Sequence, residues 1–122
     1  MSYNIDTWKT KELTNFRIPM SALHYKEDYI DRPTLDPTTS LLTFTGRAEC
    51  FELRGTWDGD WLAVEYVTSY GEGSGSLHEY LKDHVFPHST GTLIAVLVWA
   101  RGDTIERLTV RDGEIEEEEI EL

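Results

Sequence analysis

FELRGTWDGDWLAVEY, residues 51–66, decides the fold class of this chain. Apolar side chains alternate with polar ones on both sides of Asp58-Gly59, a dipeptide that favours the two-residue loop of a β-hairpin. Taking that dipeptide as the loop pairs Thr56 with Trp61, Gly55 with Leu62, Leu53 with Val64 and Phe51 with Tyr66. One face then carries Phe51, Leu53, Leu62, Val64 and Tyr66. The other carries Glu52, Arg54, Ala63 and Glu65. Turn chemistry and hydrophobic pattern agree on one register, so an antiparallel hairpin is expected.

Upstream, Leu42 and Phe44 alternate with Thr43 and Thr45 until Gly46 breaks or bends the run. Residues 31–40 contain Arg32-Pro33 and Asp36-Pro37. A residue before proline is pushed out of the α region, so this stretch is expected to be a surface connection. Residues 20–30 admit two readings. Met20, Leu23, Glu27 and Ile30 stand at helical spacing with Ser21 as a cap, and the alternative is an extended loop carrying Tyr25 and Tyr29. Residues 13–18 alternate as a short strand does.

Downstream, Tyr70 to Ser76 is a glycine-rich run that leads straight into a helix signal. Ser76 and Glu79 have the spacing of a capping box. Leu77, Tyr80, Leu81, His84 and Val85 form one stripe, and Pro87 ends it, which predicts a helix over 76–86. Residues 92–100, TLIAVLVWA, are apolar on both faces and predict a central strand covered on one side by that helix. Gly102-Asp103 turns the chain into Ile105 to Val110, and Asp112-Gly113 turns it again. The second turn sets Arg111 opposite Glu114, Val110 opposite Ile115, Arg107 opposite Glu118, and Ile105 opposite Ile120, two charge pairs and two apolar pairs in one register.

Strands, a helix, then strands again, without regular βαβ alternation, point to an α+β fold. The expectation is one domain over residues 1–122: a mainly antiparallel sheet of about six strands, with hairpins and a C-terminal meander, and one principal helix (76–86) on one face. Phe51, Leu53, Leu62, Val64, Leu81, Val85, Ile94, Val96 and Val98 are expected in its core.

A chain of 122 residues is long enough to bury such a core. No apolar run approaches the roughly 18 residues of a membrane span, and the N-terminus lacks the layout of a secretory signal. One cysteine, Cys50, forms no internal disulfide, which makes a reducing cytoplasm the expected compartment. The net charge is −12. Such a charge opposes direct binding to nucleic acid or to an anionic membrane. It suits a basic protein partner or a salty cytoplasm. Residues 103–122 concentrate it, with nine acidic side chains against Arg107 and Arg111.

Chemistry-bearing patterns are sparse. Gly71, Gly73, Gly75 and Ser76 precede a helix and could present backbone N–H groups to an anion. The spacing is not that of a dinucleotide fingerprint, no P-loop lysine follows, and Glu72 repels phosphate, so a surface connection is the stronger reading. His84 and His88 are four apart, but Pro87 lies between them, and no metal site or cofactor is expected. His84 is expected half-buried, with His78 and His88 solvated. No signature supports Cys50 or any serine as a nucleophile, so no catalytic residue is assigned. Glu52 and Glu65 face each other in the expected register, either as a carboxylate pair for acid–base work or as charges bridged by Arg54 or Arg47. Trp57 and Trp61 flank one turn on opposite faces, where they either meet a partner or close the open end of the core.

Glu116, Glu117, Glu119 and Glu121 have no partner in the expected register. They mark either an interaction surface for a basic partner or an edge strand kept charged against aggregation. Three function classes follow: a non-enzymatic interaction or regulatory module, a small-ligand-binding protein or enzyme using the sheet face with Glu52, Glu65 and the glycine loop, and a homo-oligomer joined through strand edges.

Overall fold

The computed structural model describes residues 5–23, 33–36, 38–46, 49–71, 76–99 and 105–120, and only the backbone at 5–7, 46, 49, 69–71, 76 and 99. Among these residues eight strands form one antiparallel sheet: β1 (Ile5–Pro19), β2 (Thr34–Asp36), β3 (Leu41–Gly46), β4 (Glu49–Trp57), β5 (Trp61–Gly71), β6 (Thr90–Trp99), β7 (Ile105–Arg111) and β8 (Glu114–Ile120). Their order across the sheet is β2-β3-β4-β5-β1-β6-β7-β8. The α+β class holds, with eight strands in place of about six. The connection expected at 31–40 contains β2, a three-residue edge strand paired with β3. The short strand expected at 13–18 is part of the 15-residue β1. At residues 20–23 the chain makes a 3-10 turn, Met20–Leu23. Residues 24–30, and with them the choice between helix and loop, lie outside the described residues, as does the turn expected at Gly102-Asp103.

The helical segment is α1 (Ser76–Tyr80), then a wider π turn (Leu81–Val85), then a 3-10 turn (Phe86–His88). Only its first five residues are α-helical. The Phe86 N–H donates to the Leu81 carbonyl, five residues back. Pro87 accounts for the change, because its ring clashes with a carbonyl four residues earlier and it has no N–H to give.

The sheet curls around this segment. Six strand spacings separate β3 from β8, about 29 Å if the sheet were flat. Yet Phe44 of β3 packs its ring 6.2 Å from Tyr80, and Glu117 of β8 accepts from Lys82, two residues further on. Both ends of the sheet therefore close over the same helical turn. Phe16, Phe44, Phe51, Phe86, Leu53, Leu62, Leu81, Leu93, Leu97 and Leu108 are fully buried inside the curl. Each such side chain contributes roughly 1.5–3 kcal/mol by leaving water.

Two expectations about faces are corrected. In β6 the buried residues are Leu93, Ala95 and Leu97, while Ile94, Val96 and Val98 are half-buried on the outer face. Tyr66 is not in the core but 62% exposed. The β4–β5 register explains Tyr66. The loop is Gly59–Asp60, not Asp58-Gly59, because the Asp58 N–H donates to the Trp61 carbonyl and the Asp58 carboxylate accepts from the N–H groups of Asp60 and Trp61. Trp57 therefore pairs with Leu62, and Gly55 with Val64. The next pair is Arg54 with Tyr66, so Glu65 is an extra residue on β5. This bulge moves the inward alternation from Tyr66 to Val67, which is buried. Gly55 permits the close approach, since a Cβ there would lie 1.8 Å from the Ala63 carbonyl oxygen. The β7–β8 hairpin, in contrast, has the expected register at all four pairs.

Candidate functional site

The acidic strand β8 is one edge of the sheet, paired with β7 on one side. Its faces follow from β7. Leu108 and Val110 are buried inside the curl and pair with Glu117 and Ile115. Glu117 and Glu119 therefore stand on the inner face, and Glu114, Glu116 and Glu118 on the outer one.

On the inner face Glu117 belongs to a charged cluster at the rim of the core. Its carboxylate accepts from Lys82 at 2.7 Å and stands 3.7 Å from His78 Nε2. Lys82 also pairs with Glu79 at 3.0 Å. His78 is buried against the Trp8 ring, 6.4 Å away. This corrects the expectation of a solvated His78: the curl brings β1 and β8 over the side of the helix that carries it. Burial holds the imidazole below its usual pKa, and the Lys82 charge acts the same way against Glu117 and Glu79. Burial alone would raise the Glu117 carboxyl. The Lys82 hydrogen bond and charge prevail, with help from His78 and Glu106, and lower it. Partial burial alone would lower Lys82, but hydrogen bonds to Glu117 and Glu79 hold it above the usual amine value. At neutral pH the cluster is a neutral imidazole beside a carboxylate–ammonium pair.

On the outer face Glu118 pairs with Arg107, and Glu114 lies opposite Arg111. Ile94, Arg107, Thr109, Arg111, Glu116 and Glu118 line a shallow groove of about 250 Å³. Among the described residues Glu114, Glu116 and Glu119 have no ion-pair partner within 4.0 Å. All three are exposed. Glu121 lies outside the described residues. Of the glutamates without a partner in the sequence register, Glu117 thus acquires one from the helix. Lys82 is 35 positions away in the chain, beyond any local spacing rule.

The other candidates are dispersed. Glu52 pairs with Thr68 and Thr43, not with Glu65, so the expected carboxylate pair is not formed. Glu65 sits at the bulge and accepts from the Thr56 hydroxyl at 3.3 Å. Trp57 and Trp61 do lie on opposite faces. Trp57 packs on the core, and Trp61 stacks under the Arg17 guanidinium at 5.0 Å, which itself pairs with Asp58. Gly71 ends β5 and Ser76 begins α1. Gly73 and Gly75 lie outside the described residues, and so the glycine-loop site does too. His84 is half-buried beside Tyr80, and His88 is exposed. Among the described residues no three His, Cys, Asp or Glu side chains converge as a metal site, and no helix is long and apolar enough to cross a membrane.

No known family model, curated protein or solved structure matches this chain.

Proposed function

We propose that the chain is a protein-interaction module whose recognition surface is β8, and that its partner presents basic side chains. The observation that carries this reading is an exposed edge strand with five glutamates in seven residues, three of which, Glu114, Glu116 and Glu119, form no ion pair among the described residues. Carboxylates at alternate positions on one face stand about 6.8 Å apart. Each such pair costs about 0.6 kcal/mol in bulk water. A basic strand or loop laid along the edge would relieve that repulsion and take up the outward backbone groups of β8.

Self-association through β8 is the weaker reading. An antiparallel pairing centred on Glu117 would set Glu117 opposite its own copy and Glu116 opposite Glu118, and like charges opposite one another destabilise a strand pair. An acid–base enzyme centred on Glu52 and Glu65 loses its basis, because the two carboxylates do not face each other.

The test is capture from the native source with the wild-type chain and with Glu116→Gln/Glu119→Gln, at low and raised salt. The expected result is a basic protein retained by the wild type at low salt, released as salt rises, and not retained by the variant. Failure of the wild type to retain any basic protein, or equal retention by both chains, overturns the reading.

A further inference from the structure

A void on one face of a hydrogen-bonded sheet is lined by every second residue of each strand. The opening between β1 and β5 is of another kind. It measures about 360 Å³, and its lining includes Trp8, Lys9 and Thr10 of β1 and Glu65, Tyr66 and Val67 of β5. Consecutive residues from both strands take part, so the opening lies along the seam between the two strands.

Its cause lies in the ladder. Among the described residues β1 and β5 are paired only at Arg17–Ala63, Ile18–Leu62 and Pro19–Trp61. Just before these pairs β1 turns at Asn15, whose φ is 50°, and its register against β6 shifts between Thr14 and Arg17. On β5 the extra residue Glu65 falls at the same level. Two irregularities side by side interrupt the ladder, and the facing backbone edges, unpaired here among the described residues, form the walls of the seam.

These walls define the ligand. Strand edges offer N–H donors and C=O acceptors in one plane. The β5 wall is three residues long, about 7 Å at the rise of a strand. That is short for a partner strand and suits one ring or a fused pair. Trp8 lies at the inner end, held edge-on to Phe51 at 5.0 Å and by its indole N–H, which donates to the Thr10 hydroxyl at 2.9 Å. Tyr66 stands at the outer mouth, 62% exposed. Lys9 and Glu65 place opposite charges on facing walls, which selects neither sign, while the net charge of −12 turns anions away. The volume lies at the lower end of the range for small-molecule sites. We propose that this opening binds a small, uncharged, planar heteroaromatic molecule, its rim hydrogen-bonded to the strand edges, with Trp8 and Tyr66 supplying the aromatic contacts.

The test is an amide-shift titration of the ¹⁵N-labelled chain with adenine, cytosine and nicotinamide at millimolar concentrations. Cyclohexanol serves as a non-planar comparator and adenosine monophosphate as an anionic one. Saturable shifts centred on residues 8–10 and 65–67 with at least one planar probe are expected. Tyr66→Ala, an exposed position whose loss leaves the core intact, should weaken that probe about two- to tenfold, and Tyr66→Phe should not. Glu116→Gln/Glu119→Gln should bind the probe like the wild type, which keeps this site separate from the β8 reading. The proposal is overturned if none of the three probes gives saturable shifts there, if cyclohexanol or the monophosphate binds as well, if a tripeptide binds there in preference to the rings, or if Tyr66→Ala binds unchanged.

Discussion

His78 shows how a single residue draws its properties from the whole curl. Its stripe neighbours Leu77, Tyr80 and Leu81 are legible as buried from helical spacing. His78 itself carries no such signal, because Trp8 and Glu117 reach it from opposite ends of the chain. Its lowered pKa has a sign that can be worked out. Below the usual value of 6.5 the unfolded chain takes up a proton that the folded one resists, so stability falls as pH drops from 6.5 towards the folded value. Glu117, also lowered, adds a second loss below its usual 4.5. Lys82, Glu79 and Glu106 are the other charged groups around the pair. Urea unfolding across this range should show His78→Phe flattening the upper window while the lower one remains. An unchanged slope near 6.5 would contradict the burial argument. Gly91 is a second residue whose role is geometric. With φ at 79° and a would-be Cβ 2.0 Å from the Asn15 carbonyl oxygen, Gly91→Ala should lower stability by at least about 1–3 kcal/mol. A melting point equal to the wild type's would show that the β1 bend does not depend on it.

Two Asp-Gly dipeptides close two hairpin elements, and the sequence specifies one register fully and the other in part. At the second, Asp112 and Gly113 both take positive φ, 49° and 85°, so the dipeptide is itself the loop. At the first, Asp58 uses its carboxylate to hold Asp60 and Trp61, and only Gly59 has positive φ. The side chain moves the loop by one residue, and the Glu65 bulge adds a further step. On β5 Leu62 and Val64 lie on the turn side of the bulge and Tyr66 beyond it, while β4 has no extra residue and so keeps Leu53 and Phe51 inward past the same level. The inner face of β6 was illegible for another reason: residues 93–98 are apolar throughout, and no period marks a side. The helix carries the core of the curl, with Leu81 and Val85 buried between the sheet's two halves. Leu81→Ala should cost about 2–5 kcal/mol in denaturant unfolding. A loss below about 0.5 kcal/mol, the scale of surface changes, would mean that the helix does not anchor the sheet.

At the scale of the molecule, fold class and the local meander were legible in the sequence, and the central place of β1 was not. β1 lies between β5 and β6, a pairing between distant segments that no turn signal announces. The same non-local closure brings Lys82 to Glu117 and leaves Glu114, Glu116 and Glu119 as the edge carboxylates without an ion pair among the described residues. Two accounts of those charges compete: recognition of a basic partner, and protection of a bare edge from aggregation. They predict opposite behaviour once the charges are removed. Sedimentation velocity of Glu116→Gln/Glu119→Gln, alone and mixed with the partner that the wild-type chain retains, tests the claim most directly. The account predicts a folded monomer that no longer comigrates with the partner at low salt. A variant that self-associates while still comigrating with the partner would contradict it.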